Sequence, residues 1–352
     1  MTKTPTRYLA LDAMRGLAAI AVLLYHFTMH SGGTVVFASA PLAVDLFFCL
    51  SGFVIAHAYQ DRIIAGLNLT SFLRLRLVRL YPAYLVGFVI GVYALALKQS
   101  GGQADISIGG LIGSAVCNLL YLPFPGPHSV VMYDDLIPGS IFPVNDPAWS
   151  LFFEFVANIA LFVVLKRGIK PLTVLGVSTA ILFVSTKLFG EAAGWGTANM
   201  AGGVARVMFS FFAGVVLYQG RTHLNRLPVV PLPLLLFALT AAMAIPIFRL
   251  HTYYWFIMTV CFVPPLVALG ARSSIQAGGL GQKLAHYFGG LSYPLYCVHF
   301  PILLLVSYNF SSPEARLTGI VLGCAASLVI AHLVLRSVEK PLGKLLADKI
   351  PA

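Results

Sequence analysis

The sequence predicts an all-α polytopic membrane protein. Three observations carry this. Hydrophobic residues occupy 59% of the 352 positions. Charged residues occupy only 10%, where soluble domains carry about 25%. Apolar runs of spanning length recur along almost the whole chain.

Taken in order, these runs lie at 9–29, 41–60, 79–97, 147–165, 171–189, 201–219, 231–248, 253–271, 287–308 and 315–335. An eleventh stretch, 106–122, is shorter and rich in Gly. Charge decides its status. If it does not cross, one side of the membrane receives Lys3, Arg7, Arg62, Arg74, Arg76, Arg79, Lys166, Arg167, Lys170, Arg221, Arg226, Arg272, Lys283, Arg336, Lys340, Lys344 and Lys349. The other side receives only Lys98, Lys187, Arg249 and Arg316. That asymmetry is the positive-inside pattern. The expectation is therefore about ten transmembrane helices with both termini cytoplasmic. The 106–122 stretch becomes an interfacial or re-entrant helix on the outer side.

The net charge of +11 then reflects cytoplasmic loops rather than a nucleic-acid partner. The first run follows Lys3 and Arg7, but Asp12 and Arg15 interrupt it, so it reads as a retained span and not a signal peptide. The five cysteines are scattered without C-x-x-C spacing, and no metal site is expected. No internal repeat is visible, so nothing favours an inverted-repeat transporter. Residues 1–352 read as one transmembrane domain.

The first span, Leu9 to Phe27, holds Asp12, Arg15 and His26. Ionisable groups at a span centre cost about 2.5–3.5 kcal/mol each on insertion scales. At about 100° per residue, Arg15 and His26 fall within roughly 20° of one another. Asp12 sits one turn before Arg15. The three share a stripe about 16 Å long between Arg15 and His26, enough to line a buried path. An Asp12–Arg15 pair plus an interfacial histidine would give the same pattern.

Depth matching groups further residues. Asp45 lies near the outer end of the second span, and Glu154 about two turns into the span that begins at Pro147. Arg206 lies at similar depth in 201–219. With His26 they make a candidate polar cluster in the outer half of the membrane. Salt bridges between spans would produce the same placement. On the cytoplasmic side, Arg76 and Arg79 are three apart on one helix face. Paired guanidinium groups suit phosphate, which they bind through bidentate bonds. Positive-inside anchoring is the plainer account. His299 falls near mid-membrane, where an imidazole needs a hydrogen-bond partner. Ser150 and Tyr293 complete the polar candidates. The 98–146 segment, with Asp134, Asp135 and Asp146, is long enough to cover an outward-facing site.

The stretches LDAMRGLAAIAVLLYHF, AVDLFFCLSGFVIA, RLVRLYPAYL, PAWSLFFEF, GGLSYPLYCVHFPIL and VEKPLGK together resemble the acyltransferase 3 family. The resemblance covers nearly the whole chain. The Arg15-x10-His26 spacing and the Arg76-x-x-Arg79 pair are its most specific parts. It implies an integral-membrane O-acyltransferase of the bacterial cytoplasmic (inner) membrane. Such an enzyme moves an acyl group, most often acetyl, from cytoplasmic acyl-CoA to a hydroxyl of a cell-envelope glycan or lipid-linked saccharide. The family's histidine falls on His26 and its arginine pair on Arg76 and Arg79. A second acidic residue beside the glutamate is often present in the family, whereas Phe153-Glu154-Phe155 has one. A fused extracytoplasmic esterase-like domain, carried by some members, is not expected.

The mechanism this implies uses acyl-CoA as co-substrate and no tightly bound cofactor. Arg76 and Arg79 would hold its phosphates, and its pantetheine arm would pass Arg15. His26 would act as general base or form an acyl-histidine, with Asp45 or Glu154 orienting its ring. A proton-coupled transporter is the rival reading, since it too would carry buried Asp, Arg and His. A non-enzymatic scaffold has no need of a polar stripe within a span.

Overall fold

The structure is a computed structural model and describes residues 8–342 apart from 32, 134, 191–192, 247–252 and 276–277. Lys3, Arg7, Arg249, Lys344, Lys349 and Asp134 lie outside the described residues.

Helices dominate. They are α1 (Leu9–Met29), α2 (Leu42–Ile64), α3 (Leu69–Ser100), α4 (Ile108–Leu119), α5 (Ala148–Lys166), α6 (Pro171–Phe189), α7 (Met200–Gln219), α8 (Arg221–Leu224), α9 (Leu232–Ala244), α10 (Tyr254–Ile257), α11 (Val263–Arg272), α12 (Leu280–Asn309) and α13 (Pro313–Val334). A π-helical turn, Met258–Phe262, joins α10 to α11, and another, Leu335–Glu339, extends α13. Among the described residues, nine helical segments are long and apolar enough to cross a membrane. With so many such segments, this is a multi-pass membrane protein.

The tenth expected crossing, 231–248, is shorter than the others. Helix α9 has 13 residues, about 20 Å at 1.5 Å per residue, against a hydrocarbon core of about 30 Å. It crosses nonetheless. Before it, Asn225 accepts a bond from Arg272 Nη1 at 3.3 Å, at the end of the bundle where Gly270 meets Leu11 and Met14. After it, the Met243 carbonyl accepts from Ser39 N at 2.8 Å, in the loop at the opposite end. With that crossing, Tyr8 and Leu342 lie at the same end, together with Arg74, Arg79, Lys166, Arg272 and Lys340. This basic end is the cytoplasmic one by the positive-inside rule.

Small residues set the helix packing. A Cβ on Gly16 would lie 2.6 Å from Phe288 Cβ, and one on Gly289 2.6 Å from Asp12 Cβ, so α1 and α12 pack in direct contact. Arg15 meets Gly289 and His26 meets His299, so the two helices run in the same direction. On α3, a Cβ on Gly87 would lie 2.0 Å from the Cys297 carbonyl oxygen of α12. Gly52 and Gly214 bring α2 and α7 equally close. Such close approach is the usual way helices associate in lipid, where no hydrophobic drive exists between them.

The 106–122 stretch is re-entrant rather than interfacial. Ser107 caps α4 near the outer surface, its side chain accepting from Gly110 N at 3.0 Å. At the other end of α4, Asn118 O accepts from Tyr84 Oη at 2.6 Å and Leu119 O from Tyr81 Oη at 2.7 Å. Tyr84 lies about 21 Å below Lys98 along α3 at helical rise. The reason is amphipathicity. Ser114 and Asn118 are fully buried against the bundle, while Ile108, Ile112 and Val116, each four apart, are exposed. The chain then climbs back into a small antiparallel sheet, β1 (Ala104–Asp105), β2 (Ser129–Met132) and β3 (Asp135–Pro138). Lys98 Nζ donates to Val131 O at 2.7 Å and fixes that sheet over α3.

After β3 the chain dips into the bundle again. Pro301 has no N–H, so the Cys297 carbonyl of α12 loses its helix partner. Asn145 Nδ2 donates to it at 2.8 Å, and a Cβ on Gly91 would lie 1.8 Å from Val144 O. Residues 144–147 are thereby held within the bundle, and α5 starts there. Gly87→Ala places a methyl against that same carbonyl. We expect it to destabilise the fold by the ~1–3 kcal/mol typical of overpacking, read as a lower melting temperature of the purified protein in detergent.

Candidate functional site

Two cavities lie end to end inside the bundle. The inner one, of about 720 Å³, is walled by α2, α3, α5 and α12 and reaches the basic end. Its volume is typical of ligand sites. Arg15, Arg62, Arg76 and Arg79 line its basic half, Ser51, Glu154 and Tyr293 its middle, and Ser150 and Tyr296 its upper part. The outer cavity, of about 140 Å³, is lined by His26, His30, Asp146, Trp149, Trp195 and Arg206 among others. Val44 and Tyr296 line both cavities. Tyr296 is held in this wall by Ser150, whose hydroxyl lies 2.8 Å from its own.

The stripe on α1 is not itself the path. Arg15 Nη2 donates to Gly289 O at 2.6 Å and to Asp12 Oδ1 at 3.1 Å, because the glycines let α12 close over that face. Arg15 reaches the inner cavity and His26 the outer one, and the space between them lies across α12 from the middle of α1.

The predicted outer cluster separates into three units. Asp45 is fully buried and spent on structure. It accepts from Arg206 Nη2 at 2.8 Å, Trp255 Nε1 at 3.0 Å and Ser210 Oγ at 3.3 Å. The Arg206 guanidinium carbon also sits 5.3 Å from the ring centroids of both Trp149 and Trp255. Glu154 faces the inner cavity instead, accepting from Ser51 Oγ at 2.5 Å and Arg76 Nη2 at 3.1 Å. Neither carboxylate is hydrogen-bonded to His26, contrary to the sequence expectation, because each has an arginine from another helix. The neighbour of His26 is His299, whose Nε2 lies 3.1 Å from His26 Nδ1. Depth along separate spans gives no azimuth, which is why the sequence grouped the wrong partners.

Arg76 and Arg79 both line the inner cavity but differ in state. Arg76 is buried and committed to Glu154, whereas Arg79 is exposed at the mouth. Tyr293 Oη donates to Leu80 O at 2.6 Å and ties α12 to α3 there.

One residue that sequence reasoning passed over as a site is Asp146. It lies in the dipped segment before α5, beside His26 in the outer cavity. Ser140 Oγ donates to its Oδ1. Burial pushes its carboxyl from an ordinary 3.8 up to about 7, against the smaller lowering effect of the Ser140 bond. The loop contributes Ile137 to the same cavity, and His30 Nδ1 pairs with Asp135 Oδ2 at 3.0 Å across the rim. The 98–146 segment therefore helps to wall the outer cavity. The only signal in the sequence was the Asp-Pro-Ala-Trp entry to α5.

A family model described as an acyltransferase domain matches residues 8–336. The chain belongs to the acyltransferase 3 family. Like other members of that family, it is a membrane acyltransferase. It is 36% identical over 196 residues to protein 2 in the picA locus of Rhizobium radiobacter, covering 53% of this chain and 97% of that protein. It is 32% identical over 164 residues to the acyltransferase MdmB of Streptomyces mycarofaciens, covering 43% of this chain and 38% of that one. The peptidoglycan O-acetyltransferase OatA of Listeria monocytogenes aligns over 97% of this chain at 26% identity, and the alignment covers 57% of OatA. No solved structure matches the acyltransferase.

Two outcomes follow from the charges in this site. Asp45→Asn leaves Arg206 without its buried counter-charge, and removing one partner of such a pair costs about 3–5 kcal/mol. Thermal unfolding should show a clear loss, larger than that of Asp12→Asn on the partly exposed pair. Asp146 binds its proton more tightly folded than unfolded. Its contribution to stability is thus full below pH 3.8 and lost as pH rises through about 7. The melting temperature of the wild type should fall between about pH 4 and 7, and Asp146→Asn should flatten that fall.

Proposed function

We propose that this protein transfers an acyl group, most simply acetyl, from cytoplasmic acyl-CoA to a hydroxyl of an extracytoplasmic carbohydrate, in the bacterial cytoplasmic membrane. The observation that carries the reading is the pair of cavities sharing Tyr296 and Val44, arginine-lined on one side and histidine-bearing on the other. Acyl-CoA enters the inner cavity from the basic end. Arg79, with Arg62 and Arg15 nearby, meets its phosphates, and the narrow pantetheine arm extends past Ser51 and Glu154. The thioester reaches Tyr296, and the acceptor hydroxyl approaches His26 from the outer cavity. The name of OatA as an O-acetyltransferase supports the acetyl choice and a cell-envelope acceptor. No resident cofactor is invoked.

Chemically, His26 takes the hydroxyl proton as the oxygen attacks the thioester carbon. The carbon–sulfur bond then breaks, and the thiolate leaves as the thiol on taking that proton back. His26→Ala should abolish transfer from radiolabelled acetyl-CoA to a panel of glycans, while the protein still inserts and elutes as a single species. Full activity of that variant would refute the role. Arg79→Ala should raise the apparent KM for acetyl-CoA about tenfold, the size of one lost charged hydrogen bond. Arg76 is a poorer probe, because its loss also strands Glu154. Movement of a solute across vesicles without acyl-CoA would favour a transporter instead.

A further inference from the structure

The two histidines of the outer half determine one another's protons, and this rests on the acyl-transfer reading above. His299 is only 1% exposed and lines neither cavity. Its Nδ1 lies 3.0 Å from Leu295 O, a carbonyl of its own helix. A carbonyl oxygen can only accept, so that nitrogen carries hydrogen. In the neutral ring, Nε2 is then a lone pair, and it points at His26 Nδ1 3.1 Å away. His26 Nδ1 also lies 3.0 Å from Val22 O. Were it bare, it would face a carbonyl lone pair across that distance. It therefore carries hydrogen and shares it between Val22 O and His299 Nε2, a three-centre bond of a kind common in helices. His26 Nε2 is left as the bare nitrogen, with no hydrogen bond among the described residues, on a ring that lines the outer cavity.

We propose that His299 is the positioning residue of this enzyme, taking the part that a carboxylate takes in a Ser-His-Asp triad. It accepts the Nδ1 hydrogen of His26, keeps Nε2 bare toward the acceptor, and holds the imidazolium that forms when Nε2 takes the hydroxyl proton. A neutral partner suits a position as buried as that of His299, where a carboxylate would need its own counter-charge. His299 itself forms and breaks no covalent bond. The same bare Nε2 is required if His26 attacks the thioester as a nucleophile, so the inference is independent of that choice.

The test uses the full chain in nanodiscs, with radiolabelled acetyl-CoA and the glycan panel. His299→Leu removes the acceptor, and His299→Gln restores one through its amide oxygen. We expect His299→Leu to lose on the order of 10²–10⁴ in kcat, the range for general-base catalysis, with the KM for acetyl-CoA unchanged. His299→Gln should recover to within about tenfold of wild type. Wild-type kcat in His299→Leu overturns the inference, as does a His299→Gln variant no more active than His299→Leu while still binding acetyl-CoA. A second measurement needs neither a folded variant at position 299 nor a known acceptor. Nitrogen-15 spectra of histidine-labelled wild type, with His26 assigned by comparison with His26→Gln, should show Nδ1 protonated and Nε2 bare. The opposite tautomer would overturn the inference by itself. If His26→Ala is fully active, the role assigned to His26 fails. If only the position-299 results fail, that role stands and this inference falls.

Discussion

Pro301 leaves the Cys297 carbonyl without its helix partner, and the working half of the molecule is arranged about that one group. In a membrane such a carbonyl must be satisfied within the protein, because no water is there to do it. Gly87 lets α3 come against it, and Asn145 donates to it. The loop that carries Asn145 is thereby drawn down into the bundle. It brings Asp146 to the outer cavity and starts α5 below the surface, so that Ser150 meets Tyr296 and Glu154 meets Arg76. On the same turn of α12, Tyr296 meets Ser150 of α5 and His299 meets His26 of α1. One missing N–H thus sets the relative depth of α3, α5 and α12.

Charge is distributed according to what each helix pair can compensate. The Asp45–Arg206 pair is closed by two tryptophan rings and an indole N–H, which fixes α2 to α7 and leaves no valence for chemistry. Breaking such a pair is expensive because the survivor remains a desolvated ion. The Glu154–Arg76 pair borders the larger cavity, where an anionic ligand would compete for the guanidinium. His26 is unlike both. Its immediate partners are a carbonyl and a neutral imidazole, so its ring is held by hydrogen bonds and not by an ion pair.

Much of the site was legible from residue type and spacing. Arg15, Arg76, Arg79 and His26 all line one or other cavity, as a stripe on one helix and a pair on another suggested. Their pairing was not legible. Matching depths placed Asp45 and Glu154 near His26, but depth is one coordinate of three, and rotation about each helix axis is set by packing. Asp146 was legible only as part of a loop long enough to cover an outward site, because loop carboxylates are ordinarily solvated and only the descent of its loop buries it. The short α9 shows the same limit, since hydropathy gives the run but not that only 13 of its residues are helical.

What the sequence determined by itself is the class of molecule. Apolar runs, the asymmetry of Lys and Arg, and a few expensive polar groups force a multi-pass helical bundle, because each is a local cost that lipid imposes on that segment alone. What only the tertiary structure decided is which polar groups meet. That depends on where glycines let helices touch and where prolines free a carbonyl, and these are contacts between segments far apart in the chain. The partner of His26 is a histidine 273 positions away, and no local rule of spacing could have selected it.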